Sequence, residues 1–502
     1  MNTVLLKALA LAICLYILLV VIHRLILSPL AKFPGPKLAA ATRWYEMYHD
    51  VIRGGQFMFE IEKMHAKYGA IVRINPFELH IKDPDFYTTL YAGPTKKRNK
   101  DGWFVSMATA GSSFSAADHR HHRVRRGMLS PFLARRSVMA FQPVIQQKVE
   151  AVCQHLRRAM ETDSAVELHT CFLSFAVDVV SHYAFGDKYC VGTLDGPVLS
   201  DKWKRGVNGI FESLILVRHF PFLFTLSRLV PPWLSACIKP QYKDVYPIEN
   251  EIATRMTRFY YMRRSAVPEI SEERSIFSGI IRNEQLPDEE KELPRLIGEA
   301  KFLLVAGTDA PSQVLALTMF HILDNPDVYQ RLREEVMLAI PDKKASPLWG
   351  DMEKLPYLSS VIKEGLRISA VVTSRLPRIS PDEPIYWNGW EIPPGTPVSM
   401  SNHFILRDPN IFPDPLSFQP GRWVDKRLEK YLVPFSKGNQ GCLGPDMTYC
   451  WLNIVLATLM RRFEFELYDT TKVNVEIVRD CFNAQTRRGQ NRIHVKIRKE
   501  LD

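Results

Sequence analysis

The stretch Phe435–Gly444, FSKGNQGCLG, constrains this chain more than any other, because it sets one cysteine among three glycines just before an apolar run. Gly438, Gly441 and Gly444 lack a Cβ, so the backbone there can turn tightly and approach a flat ligand. The following segment, Met447–Arg462 (MTYCWLNIVLATLMRR), reads as an apolar helix. Cys442 therefore lies near a predicted helix N-terminus, where the dipole favours a thiolate. A thiolate held there is a metal ligand; the competing reading is a buried structural cysteine in a glycine-rich turn, the commoner fate of a lone cysteine.

Zinc and iron–sulfur sites gather several Cys or His at short spacings, whereas Cys442 has only Cys450 nearby, on the helix itself. A single sulfur suggests a cofactor that brings its remaining ligands, as heme does. The pattern Phe435-x-x-Gly438-x-x-x-Cys442-x-Gly444 resembles the heme-binding loop of the cytochrome P-450 family, the heme-thiolate monooxygenases. That resemblance implies a mainly α fold with small β-sheets around heme b, Cys442 as the metal ligand, and Phe435, Gly438, Gln440 and Gly444 beside the cofactor. The family usually has Arg where this chain has Gln440. An amide can donate to a heme propionate but cannot neutralise it, so looser heme retention or a shifted potential is expected.

Other segments extend the resemblance in the family's order. His119–Arg126 (HRHHRVRR) places His122 and Arg126 four apart on one helical face. An exposed basic helix is one reading; the other is the family's propionate-binding pair, since Arg grips carboxylates with a planar fork. A long helical pattern from about Asp288 to Asp324 carries AGTDAPS at Ala306–Ser312. It resembles the family's distal helix at Ala306, Gly307 and Asp309 and departs at Ala310, where the family's Thr hydroxyl orders water and helps pass protons. Thr308, Asp309 and Ala310 are thus the candidate catalytic positions. Thr308 lies well round the helix from position 310, and Pro311 removes a backbone donor. Three outcomes are open: water or a substrate hydroxyl replaces the lost group, a kink brings Thr308 or Ser312 inward, or ordinary hydroxylation is abandoned. Glu364 and Arg367 share a helical face, and FQPGRW at Phe418–Trp423 resembles the family segment whose Arg, here Arg422, closes a structural Glu–Arg–Arg cluster behind the heme. Ser369–Arg378 resembles the strand beside the heme, with Arg378 as a second propionate contact and Val371, Val372 and Thr373 in the pocket wall.

No linker, repeat or low-complexity tract divides the 502 residues after the first forty, so residues 41–502 read as one large domain, which the resemblance implies is the heme-thiolate catalytic domain. Val4–Ile22 is apolar except for Lys7 and matches the roughly twenty residues of a membrane-spanning helix. A cleavable signal is the alternative, but the run is long for a signal core and no small-x-small site precedes the charged flank. Residues 1–28 are read as a single-pass anchor and 29–40 as a stiff Pro-rich hinge, with the body on the cytosolic side. The resemblance implies the endoplasmic reticulum. Eight cysteines without paired spacing fit a reducing compartment. The net charge of +11 is not organised into a basic tract with interleaved aromatics, which argues against nucleic acid. Helices are expected over Trp44–Tyr68, Ala140–Met160 and Val166–Ala184, two strands over Ala70–Ile81, and a pocket-covering loop at Gly102–Ala117. The Phe/Leu/Pro-rich stretch Ile210–Ile238 is either core or a lid that dips into membrane lipid.

The resemblance implies insertion of one oxygen atom from O2 into an apolar small-molecule substrate, with electrons from NADPH-cytochrome P-450 reductase. SRLPR and FQPGRW resemble fungal members of secondary metabolism, so a terpenoid or polyketide-derived substrate is expected. Ala310 and Gln440 keep two alternatives open: a non-oxygenating dehydrase or rearrangement catalyst, and a catalytically impaired heme-binding accessory protein.

Overall fold

A computed structural model describes residues 2–223, 243–265 and 275–501. Helices apolar all round belong inside a large core, and two such helices form it here. The central helix Leu168–Phe185 is buried along its whole length and packs against the distal helix Leu293–Leu323. The cysteine-loop helix Pro445–Arg462 is buried from Cys450 onward and packs against helix Arg135–Glu161. Pro294 opens the distal helix, where a missing N–H costs nothing.

The strands are short and peripheral. β1 (Ile71–Arg73), β2 (Leu79–Ile81), β3 (Asn99–Lys100), β5 (Arg378–Ile379) and β8 (Pro397–Ser399) form one sheet in the order β1-β2-β8-β5-β3. β1 and β2 are antiparallel, with Ile71 opposite Ile81, and their turn is fastened by Asn75, whose Oδ1 accepts from the N–H groups of Phe77 and Glu78 at 3.0 Å each. β4 (Val166–Glu167), β12 (His494–Glu500) and β9 (Phe463–Tyr468) form a second sheet, and β10 (Arg479–Cys481) with β11 (Asn483–Gln485) a hairpin. The mainly α fold with small sheets is as expected.

Beneath β1 and β2 lies a closed set of buried ion pairs. Arg375 donates to Glu78 and Glu46, each at 2.7 Å, and Arg218 pairs with Asp50. Asn75 and Ser399 supply further donors to the same carboxylates.

One local expectation is corrected and two open readings are narrowed. The helix expected over Trp44–Tyr68 is interrupted at Gly54 and Gly55, with φ of 71° and 84°, and resumes at Phe57. A Cβ on Gly55 would lie 2.6 Å from the Asp480 carbonyl oxygen, so tertiary contact sets that break. Pro311 leaves the distal helix continuous from Leu293 to Leu323. The Pro-rich stretch expected as a hinge is fastened to the body: the Arg73 N–H donates to the Pro34 carbonyl at 2.7 Å, and Leu30 and Phe33 are buried beside Ile71 and Leu79. Ahead of it, the helix Asn2–Ile22 makes up most of a 25-residue apolar span, Thr3–Leu27, none of it buried, which is compatible with a single membrane anchor. Of the lid segment, helix Lys202–His219 is described; residues 224–238 lie outside the described residues.

Candidate heme and substrate site

The distal helix and the cysteine loop face each other across a cavity of about 480 Å³. The loop is held from within and from the side. The Cys442 N–H donates to the Phe435 carbonyl at 2.8 Å, the sulfur accepts from the Gly444 N–H at 3.3 Å, and Arg126 donates to the Gly441 carbonyl at 2.6 Å. Cys442 has exposed surface although it lies deep in the protein, because that surface faces the cavity. Burial pushes its thiol up, against the pull of the Gly444 N–H and Arg126. Phe435, Gln440, Gly441 and Gly444 border the cavity with it. Gly438 does not: at φ 72° a Cβ there would lie 2.2 Å from the Ala92 carbonyl oxygen, so packing against that backbone, not a flat ligand, demands glycine.

The opposite wall is built from Ala306, Gly307, Ala310, Pro311 and Val314. Thr308 is fully buried and spends its hydroxyl on the Leu304 carbonyl at 2.6 Å, while the Ser312 hydroxyl donates to the Asp309 carbonyl at 2.8 Å. Neither borders the cavity, so of the three outcomes left open, the inward swing of Thr308 or Ser312 at a kink does not occur. The Asp309 carboxyl is also set back. Its Oδ2 accepts from Asn483 at 2.7 Å and Gln313 at 2.8 Å, and burial pushes its pKa up to about 6.

Basic side chains collect at the loop side. His122 and Arg126 share their helical face as expected and both border the cavity, as does Arg378. Lys100 on β3 stands directly opposite Arg378 on β5, and both are buried. Like charges directly opposite in a sheet repel. Backbone carbonyls solvate them in part: Lys100 donates to Ser113 and Phe114 at 3.1 and 2.8 Å, and Arg378 to Pro377 at 3.1 Å. His122 is buried with Nδ1 unpartnered, and burial together with Lys100, Arg126 and Arg378 lowers its pKa to about 3, so it is neutral. Among the described lining residues the one carboxylate is Glu249, which Lys301 holds at 3.0 Å.

These residues fit heme: a sulfur open to the cavity, a wall of small residues opposite it, and, among the described residues, the cations Lys100, Arg126 and Arg378 with no carboxylate in salt-bridge contact. Gln440 borders the cavity and gives one amide hydrogen to the Arg98 carbonyl at 2.6 Å, with its Oε1 buried without a partner, which leaves its second amide hydrogen uncommitted. Val371 and Val372 border the cavity as expected; Thr373 does not, its hydroxyl being given to Asp480 at 2.8 Å. The structural cluster forms as expected, with Arg367 on Glu364 at 2.8 Å and Arg422 at 3.1 Å, and Trp423 Nε1 joins it at 3.0 Å.

Residues 40–485 match the family model described as Cytochrome P-450. The chain belongs to the cytochrome P-450 family. Such proteins are oxidoreductases that bind heme through a cysteine thiolate, act on small molecules and draw electrons from a redox partner. Among curated P-450 relatives, a tryptophan 6-hydroxylase of Fusarium equiseti is 38% identical over 95% of this chain and 94% of its own length. The cytochrome P-450 monooxygenase sdnE of Sordaria araneosa is 36% identical over 99% of each, and the conidiogenone synthase of Penicillium rubens 35% identical over 93% of this chain and 94% of the relative. These are fungal P-450 enzymes of secondary metabolism. Two residues of this P-450 escaped the sequence reading. Lys100 sits in the run KKRNK, which reads as solvated charge, and Asn483 lies in a hairpin with no motif; only strand pairing brings either to the cavity.

Proposed function

We propose that this P-450 inserts one oxygen atom of O2 into a neutral apolar small molecule, a terpenoid or polyketide-derived intermediate of fungal secondary metabolism. The observation that carries the reading is the Cys442 sulfur opening onto an apolar-lined cavity opposite the small-residue wall. In this reading Cys442 would hold the heme iron through its thiolate, Arg126, Arg378, Lys100 and neutral His122 would receive its carboxylates, and Glu364, Arg367 and Arg422 would brace the loop. Heme, when bound there, supplies the activation of dioxygen. The chain's own residues then do the rest. Phe104, Phe211, Phe302 and Phe482 exclude water and hold the substrate by apolar contact. Burial raises the Asp309 carboxyl behind the distal wall to about 6, so it takes up and releases a proton just below neutral pH.

A free amino acid needs a cation for its carboxylate and an anion for its ammonium. The lining acid Glu249 is already paired with Lys301, and the unpaired cations sit at the loop side, which supports an uncharged substrate. The apolar span Thr3–Leu27 supports residence in the endoplasmic reticulum membrane, with NADPH-cytochrome P-450 reductase as the electron donor on the cytosolic side.

Ala310 favours one second reading, a heme-thiolate dehydrase or rearrangement catalyst that needs no proton delivery to dioxygen. Product formed by the loaded protein without NADPH would select that reading. For the ligand, Cys442→Ser is expected to abolish the thiolate-type carbonyl difference band; a band unchanged in that variant removes the assignment.

A further inference from the structure

The distal helix turns no side-chain hydroxyl or amide into the cavity, since its bordering residues from Phe302 to Val314 are apolar or glycine. One polar side chain nevertheless borders that wall, and one backbone carbonyl of a lining residue lacks its helical donor. Pro311 has no N–H, so the Gly307 carbonyl four residues earlier loses its helical donor. Asn483 arrives from the β10–β11 hairpin and borders the cavity while its Nδ2 donates to Asp309 Oδ2 at 2.7 Å.

The hairpin is built to hold Asn483 there. Phe482 at its tip has φ of 78°, a costly conformation for a large aromatic residue, which persists only where neighbours enforce it. The Phe482 N–H donates to Asp480 at 3.0 Å, and its carbonyl accepts from the Thr373 N–H at 3.2 Å. Asp480 is fixed in turn by the hydroxyls of Thr373 and Ser374, each at 2.8 Å. Asn483 bridges to Val372, and the Ala484 N–H donates to the Val371 carbonyl at 2.7 Å. On the far side of the carboxyl, Asp309 Oδ1 lies 3.7 Å from His169 Nε2, and both atoms are buried without a hydrogen-bond partner.

We propose that Asn483 is the positioning residue of the distal wall: its amide seats a water at the cavity edge and joins it to Asp309, where Ala310 offers no hydroxyl. One hydrogen of the amide is committed to Asp309. Its other hydrogen and its oxygen are chemically able to hold a water, with the freed Gly307 carbonyl as a second acceptor on the same wall. Phe482, which a bound substrate meets, is the neighbouring residue, so the hairpin places substrate contact and carboxyl orientation one residue apart. The inference rests on reading Leu293–Leu323 as the wall facing the cofactor. Cys442→Ser tests that reading separately, because it removes the carbonyl band, which Asn483 variants are expected to keep.

The test uses the full-length, heme-loaded protein without substrate, with carbon monoxide as the probe of the distal wall. Two infrared readouts serve: the C–O stretch of the carbon-monoxide form and the titration of the buried carboxyl. In Asn483→Leu the C–O stretch is expected to shift and the carboxyl midpoint to rise by about one pH unit, since a donor to the charged form is lost. Asn483→Leu combined with Ala310→Thr is expected to return the C–O stretch toward its starting value, as a purely structural role of Asn483 would not allow. Both signals unchanged in Asn483→Leu, or no return in the double variant, overturns the proposal. Should Asn483→Leu not accumulate in loaded form, Asp309→Asn decides: the C–O stretch moves if Asn483 links Asp309 to the cavity and stays put if it does not.

Discussion

Two groups of buried charge in this fold differ in whether the protein supplies the opposite sign. Under β1 and β2, Arg375 meets Glu46 and Glu78, and Arg218 meets Asp50. At the cavity, among the described residues, Lys100 faces Arg378 with no acid in salt-bridge contact, Glu299 acting on Lys100 only from a distance, and Asp309 accepts from two amides with Lys204 acting only from a distance. A buried charge without a counter-charge costs several kcal/mol. The first group therefore completes itself as architecture. The second is completed by something the chain binds, or by carrying the neutral form of the group. The contrast separates framework from site on electrostatic grounds that owe nothing to family membership.

Breaking the self-completed group has the largest expected effect. Arg375→Met leaves Glu46 and Glu78 buried without their cation and is expected to lower unfolding stability by about 3–5 kcal/mol. In denaturant titrations the chromophore and the helix signal should disappear together, at lower denaturant. Arg378→Met removes one of two facing cations and should do the reverse: heme leaves about 10- to 100-fold faster, while the helix signal stays within about 1 kcal/mol of the parent. Coincident loss of both signals in Arg378→Met would erase the distinction between the groups.

This contrast also explains what the sequence could and could not convey. Motifs confined to one element were legible: the cysteine loop, the His122/Arg126 face, the Glu364–Arg367 pair and the small residues of the distal helix all lie where spacing put them. What escaped depends on pairing between distant segments. Lys100 meets Arg378 across β3 and β5, and Asn483 meets Asp309 through a hairpin whose tip is strained. The break at Gly55 and the demand for glycine at Gly438 are of the same kind, because both come from the backbone of another segment pressing where a Cβ would be. Pro311 marks the limit of a local rule: it removes one backbone donor, yet the distal helix runs on through it while packed along Leu168–Phe185.

Lys100 sharpens the comparison at smaller scale. If it is a ligand-facing cation, Lys100→Met should speed heme loss about tenfold, and Gln440→Arg in that background should recover part of the loss by restoring a charge at the same end of the cavity. Heme-transfer kinetics to an acceptor protein reads both. Equal retention in Lys100→Met and the parent would place Lys100 with the framework.

The smallest expected effect concerns the slope of stability with pH, where the two groups should differ in sign. Asp309 has its folded pKa raised by burial from 3.8 to about 6. Between those values the folded chain holds a proton that the unfolded chain has released, so the stability from this group is full below about pH 4 and is lost as pH rises through 6. Asp309→Asn does not titrate; relative to the parent it should gain about 1 kcal/mol between about pH 5 and about pH 7.5. Asp50 is the mirror case. Burial alone would raise it, but Arg218 and His219 bring its folded pKa below 3.8, so its contribution is present above about pH 4 and is lost as pH falls. Asp50→Asn should therefore lose least in acid, while Asp309→Asn gains most near neutrality. Unfolding midpoints measured from about pH 2 to about pH 7.5 decide it: slopes of the same sign would mean that the charges at the cavity are balanced within the protein after all.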